Sequence, residues 1–346
     1  MIKHTVFGKT SNEKTVYLYT ISNEFLTAKI STLGAALVSL IVKSGNGRTY
    51  DIVLGYDDVL AYEYQNSYMG CVVGRCCNRI AGGIFKLNGK TYHLSQNEGS
   101  NHLHGGFSGF DKKLWAATII DNYSLKLTYL SKDGEENYPG KLTTSVIYSL
   151  RENNLYIDYS ATSSEDTICN LTNHTYFNLN GYDSGNILEQ EIQILADKFT
   201  EDNAQFLPTG KILSVDNTPM DLREPIPIGK YIHSNFSQIE QANGYNTNYL
   251  IKDKLDDTIV HFATAYSPIS NIILKAYTNM PCVEYYTGSY LTGSYIGKNN
   301  APIKNYYGFA LEPQFAPNAI NLNGLDKPVL LKGNIYQSRT IFEIIS

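Results

Sequence analysis

Short runs of β-branched and aromatic residues, punctuated by Gly, Asn, Asp and Pro, recur along the whole chain. Thr15 to Ile21, Leu125 to Tyr129, Thr143 to Leu150, Leu155 to Tyr159, Ile272 to Tyr277 and Cys282 to Tyr286 are the clearest. Side chains of this kind fit a pleated, half-buried surface, so each run predicts a strand. Lys86 to Leu94 has Asn88-Gly89 near its middle and predicts a hairpin, since Asn-Gly tolerates the two positive φ angles of a tight turn. Helical signals are short: Asp57 is placed to cap a turn through Tyr62, and Asn235 to open another through Gln241. There is no strand–helix alternation and no repeat at a fixed period. The pattern predicts one all-β domain over residues 1–346, a large antiparallel β-sandwich with long polar connections.

Bulk properties narrow the partners. At 346 residues and 38.7 kDa, a fold buries roughly three-quarters of the unfolded chain's surface and needs no disulfide staple. A net charge of −5 without a long basic run argues against nucleic acid. No stretch approaches the roughly 20 apolar residues of a membrane span. The start, Met1 to Phe7, lacks the apolar core of a signal peptide, and this predicts a cytoplasmic protein. Cysteines 71, 76, 77, 169 and 282 are odd in number and lack ligand spacing, as expected of reduced thiols. No interface pattern can be read, which leaves monomer and homodimer both open.

Three separated stretches place ionisable side chains among small or polar neighbours. In Ala310-Leu311-Glu312-Pro313-Gln314-Phe315, a strand from Tyr306 to Glu312 puts Glu312 on one face with Gly308 and Ala310. Small neighbours leave room for a ligand, although an ordinary surface glutamate fits the same local pattern. In Asn170 to Leu179, extended alternation gives an apolar face of Leu171, Phe177 and Leu179. His174 falls on the polar face, and imidazole offers acid and base forms near neutrality. His102 and His104 are spaced to share a strand face, yet His-x-His alone is weak evidence for a metal and no third ligand is evident. Gly74 to Gly83 holds Arg75 and Arg79, two of only six arginines. Their forked donors suit carbohydrate hydroxyls, and a salt-bridging loop is the equal alternative. No nucleotide-binding glycine fingerprint occurs, so no cofactor is expected.

Taken together these motifs resemble the aldose 1-epimerase (galactose mutarotase) family. The likeness includes Ser31 to Ala35, the loop at 74–83, Asn97 to Gly106, Tyr138-Pro139-Gly140, Asn170 to Leu179, Pro219 to Pro225, Tyr286-Thr287-Gly288 and Leu311 to Gln314. It implies a galactose mutarotase-like β-supersandwich that interconverts α and β anomers of a free aldohexose such as galactose or glucose, with neither cofactor nor metal. Carried over, Glu312 matches the general base on the anomeric hydroxyl and His174 the acid on the ring oxygen. His104 and Arg79 match residues that hydrogen-bond the sugar, and Asn78 matches a neighbour lining the same substrate-binding pocket. Two departures stand out. Asn246 occupies a position usually held by aspartate, and Glu284 one where many relatives have glutamine. Glu284 is therefore expected to supply the missing carboxylate from the opposite side of the pocket. Activity is expected to need ionised Glu312 and protonated His174 together. Open alternatives are a sugar-binding protein without chemistry, an epimerase for a disaccharide such as maltose or for a phosphorylated hexose, and a glycoside hydrolase.

Overall fold

The computed structural model describes residues 2–45, 47–253, 255–292 and 295–346. Among them, three antiparallel sheets carry most of the chain. The amino-terminal sheet has five strands in chain order, from Lys3–Lys9 to Thr49–Asp51. A nine-stranded sheet is built around the hairpin Leu142–Arg151 and Asn154–Ser163, with the last strand, Ile335–Ile345, beside it. The third sheet runs Tyr176–Phe177, Phe309–Gln314, Cys282–Tyr286, Asn246–Leu250, Lys198–Asp202 and Pro208–Ser214. The antiparallel all-β architecture expected from the pattern is the one observed.

One continuous apolar cluster joins the three sheets. It contains Ile21, Ile30 and Leu37 from the first, Leu127, Val146, Ile157 and Phe342 from the second, and Tyr249, Val283, Tyr285, Phe309 and Leu311 from the third. Each such side chain contributes about 1.5–3 kcal/mol when fully buried. In the six-stranded sheet these residues alternate with polar ones. Glu312, Glu284 and Asn248 stand in register across three adjacent strands, and Ala310, Tyr286 and Asn246 form the next row. Since side chains alternate between faces, this polar face lies opposite the core. It is the floor on which the site is built.

The predicted strands recur with ends shifted by at most four residues, as Thr15–Ser22, Ser124–Ser131, Leu142–Arg151, Asn154–Ser163, Ile273–Thr278 and Cys282–Tyr286. The Asn88-Gly89 turn joins Ile84–Leu87 to Lys90–His93, with φ of 51° and 75°. Both helix starts differ from expectation. The helix Val59–Tyr64 is capped by Asp58, whose side chain accepts the Leu60 N–H, and not by Asp57. Ser237–Ala242 follows Phe236 with no side-chain cap, so Asn235 opens nothing. No helix is long and apolar enough to cross a membrane among the described residues. All five cysteines are free and buried.

Candidate active site

The segment around His174 is two strand fragments with a step between them. Thr172–Asn173 pairs with Val72–Val73, and Tyr176–Phe177 with Phe309–Ala310. At the step, the His174 N–H donates to the Cys71 carbonyl and the Gly70 N–H donates to that of His174, both at 2.9 Å. The expected apolar face is buried, but so is the polar one. Asn170, Thr172, His174, Tyr176 and Asn178 are all inside, because a second layer of chain covers them. Asn170, for example, exchanges two hydrogen bonds with the Phe315 backbone.

His102 and His104 do not share a face. His102 lies on a two-residue strand opposite Ile80 and is wholly buried. Its Nε2 lies 2.6 Å from the Tyr138 hydroxyl and its Nδ1 2.7 Å from the Ser95 carbonyl. His104 has a positive φ of 51°, which turns the chain and sends its ring elsewhere. Gly105 makes that turn possible: its φ is +92° and a Cβ there would sit 1.8 Å from the Gly74 carbonyl oxygen. Only glycine fits.

The two loop arginines also part. Arg75 points inward, where Nε, Nη1 and Nη2 donate to the Ser131 hydroxyl and to the carbonyls of Ser131, Lys132, Pro139 and Gly140. It is a structural clasp. Arg79 faces a cavity, with Nε and Nη2 donating to Glu98 at 2.7 and 2.6 Å and its guanidinium 5.1 Å from the Phe206 ring. The salt-bridging reading of this loop holds for Arg79, which also lines the cavity.

That cavity has a volume of about 640 Å³, and Asn78, Arg79, His104, His174, Asn246, Glu284 and Glu312 all line it. His174 Nε2 lies 3.4 Å from Glu312 Oε1, while Glu312 Oε2 and His174 Nδ1 have no hydrogen-bond partner. The Asn78 side chain donates to Glu284 at 3.2 Å. The Asn78 backbone N–H donates to Nδ1 of His104 at 3.2 Å. Asn246 and Glu284 occupy neighbouring strands and the same face, diagonally displaced. Glu284 thus approaches from the adjacent strand, not from the opposite side.

Electrostatics here are set by dehydration. Burial pushes the Glu312 carboxyl up to about 8, with Arg79 pulling the other way, and pushes the His174 imidazole down to about 3. Burial and the neighbouring His174 and Arg79 likewise hold His104 well below the ordinary histidine range. Glu284 is raised by burial and then by Asp202 and Glu312. Near neutrality the site by itself therefore keeps one proton on the His174–Glu312 pair, on the carboxyl. Burial favours this neutral pair in the ligand-free site because it takes away the solvation that charged forms need. The ionised Glu312 and protonated His174 expected for activity are the same one-proton pair with the proton moved across.

One donor atom from each of His104, His174 and Glu312 lies within 4.8 Å of the others. The set does not fit a metal. Nδ1 of His104 accepts an N–H, so the proton of its neutral ring sits on Nε2, the nitrogen a cation would need. Sequence reasoning missed several neighbours in the cavity wall. Tyr68 packs 4.5 Å from the His104 ring, and Tyr176 packs 4.8 Å from that of His174. Glu98 belongs to the Asn97 to Gly106 stretch, but nothing in the spacing ties it to Arg79.

A buried imidazole and carboxyl 3.4 Å apart at the floor of an open polar cavity, on an antiparallel all-β fold, form an arrangement able to pass protons to and from a bound ligand. The comparisons agree. The family model for aldose 1-epimerase matches residues 17–343. Galactose mutarotase of Bos taurus is 40% identical over 330 residues, covering 95% of this chain and 94% of its own. That of Homo sapiens is 38% identical over 344 residues, covering 99% and 98%. The crystal structure of an aldose epimerase homologue from C. elegans superposes with a TM-score of 0.87 at 28% identity, over 95% of this chain and 98% of that one. The chain belongs to the aldose 1-epimerase family of enzymes.

Proposed function

We propose that this protein interconverts the α and β anomers of a free aldohexose, galactose or glucose, with His174 and Glu312 as the proton-transferring pair. The observation that carries this is their 3.4 Å approach at the floor of a cavity large enough for a pyranose. Ring opening removes a proton from the C1 hydroxyl and adds one to the ring oxygen. Net charge on the sugar does not change, so a pair that holds one proton between two seats can do both. In the reactive form the proton has passed from Glu312 to His174. The Glu312 carboxylate then takes the C1 hydroxyl proton while the His174 imidazolium protonates the ring oxygen, and the C1–O5 bond breaks. Rotation about C1–C2 presents the other aldehyde face. The two groups reverse roles on closure. Positioned acid and base groups contribute about 10²–10⁴-fold in such transfers, and holding the sugar against both removes entropic cost.

Arg79, Asn78, His104, Asn246 and Glu284 hold the distal hydroxyls in this reading. Rigid placement supports it: Glu98 pins Arg79, and Asn78 bridges His104 and Glu284. A phosphorylated hexose is disfavoured, since Arg79 is the only Lys or Arg among the described lining residues and it is already paired. The whole chain acts as one domain, as monomer or homodimer. Its five unpaired, buried thiols support a cytoplasmic setting.

The test is anomer exchange followed by NMR or polarimetry on free galactose and glucose, for the parent and His174→Asn. The parent should accelerate equilibration and the variant should not. Equal rates with and without parent enzyme would refute the assignment.

A further inference from the structure

We propose that Glu284 tunes this cavity toward aldohexoses in which one non-anomeric hydroxyl is replaced by an ammonium group, making it a specificity-determining residue. The proposal rests on the mutarotase reading above and names a substrate class for the same site.

Three carboxyl side chains, Glu98, Glu284 and Glu312, line the cavity against the single guanidinium of Arg79, and burial favours the protonated form of Glu284 and Glu312 in the ligand-free site. That guanidinium is spent on Glu98, through both Nε and Nη2. Neither imidazole adds a positive charge, because burial keeps His104 and His174 neutral. Glu284 itself is 5% exposed, and its partners are the amides of Asn78 at 3.2 Å and Gln314 at 3.5 Å. No ion pair includes it among the described residues. Asp202 and Glu312, whose ionised forms would oppose its own, lie nearby. A carboxyl placed this way is held firmly by amides but lacks a counter-charge.

A second observation points to a ligand. Oε2 of Glu312, in the next strand and in register with Glu284, is buried without any partner. The two carboxyls therefore face one cavity with acceptor capacity that the protein leaves unfilled. A neutral sugar can meet a protonated Glu284 through a hydroxyl. An ammonium group does more: Glu284 releases its proton to solvent, and the resulting carboxylate accepts a charge-assisted hydrogen bond from the ammonium. Such bonds exceed neutral ones by enough to change affinity roughly tenfold or more.

The experiment measures anomer exchange catalysed by the parent enzyme on glucose and galactose and on their 2-, 3-, 4- and 6-aminodeoxy derivatives. N-acetylated forms serve as uncharged controls, at neutral pH or slightly below, where a sugar amine is protonated. At least one amino isomer should exceed both its parent hexose and its N-acetyl form in kcat/KM by about tenfold. Glu284→Gln should abolish that advantage. Should every amino isomer fall at or below its parent hexose, or the advantage survive in Glu284→Gln, the proposal is overturned. The parent-enzyme arm alone decides even if the variant does not fold. Loss of exchange on all sugars, the neutral ones included, would instead overturn the underlying mutarotase reading.

Discussion

Nδ1 of His104 accepts the backbone N–H of Asn78 at 3.2 Å, and the His104 N–H returns to the Asn78 carbonyl at 3.2 Å. This reciprocal pairing fixes the ring's orientation and its tautomer. The neutral imidazole presents Nε2–H to the cavity as a fixed donor. His104→Ala should therefore mainly raise KM, by roughly the factor of ten that one hydrogen bond commands. His104→Gln keeps an N–H donor and should recover part of the loss. Steady-state anomer exchange on both variants checks this. A fall in kcat with unchanged KM would place His104 in the chemistry instead.

Proton inventory predicts a broad pH profile. The His174–Glu312 pair carries one proton between about 3, where His174 takes a second, and about 8, where Glu312 releases its own. The kcat/KM profile should be bell-shaped with limbs near those values, since it reports the free enzyme. Glu312→Gln should lower kcat about 10²–10⁴-fold and remove the alkaline limb. Persistence of that limb in the variant would assign it elsewhere.

Site chemistry costs stability at Glu312. The folded carboxyl holds its proton up to about 8, against 4.5 for an ordinary glutamate. Between those values the folded state binds a proton that the unfolded state has released, so stability falls as pH rises through that window. Glu312→Gln escapes the effect. Its Tm should exceed the parent's at the alkaline end by the equivalent of roughly a few kcal/mol, and by much less at the acid end. Calorimetry at both ends of the window measures the difference.

Arg75 and Arg79 should behave oppositely on substitution. Replacing Arg75 with Ala strands the carbonyls of Ser131, Lys132, Pro139 and Gly140, which it now satisfies. A loss of roughly 3 kcal/mol or more is expected, seen as a lower denaturation midpoint. Arg79→Ala should leave the midpoint nearly unchanged, because its partner Glu98 is one-third exposed, and should raise KM.

Much of the fold was legible in local pattern. Strand runs such as Leu155 to Tyr159 are selected by side chains that suit a pleated surface, and the Asn88-Gly89 turn follows from backbone sterics. The helix starts were not legible to the residue. Asp57 and Asp58 are chemically equal caps, and only the loop's path decides which one meets the Leu60 N–H. For the site, the family resemblance carried by the ordered motifs named His174, Glu312, His104, Arg79, Asn78, Asn246 and Glu284, and all seven line one cavity.

By itself, then, the sequence determined an all-β chain and the residue chemistry available for moving protons on a sugar. Local pattern could not separate His104 from His102 or Arg79 from Arg75; the family resemblance chose His104 and Arg79, and the tertiary structure gives the physical reason by turning these two to the cavity wall. Tertiary structure alone decided where the shared proton rests, because that depends on how much water packing removes. Strand register set the approach of Glu284 beside Asn246. Such outcomes arise from contacts between segments far apart in the chain, where period and propensity carry no information about distance or dehydration.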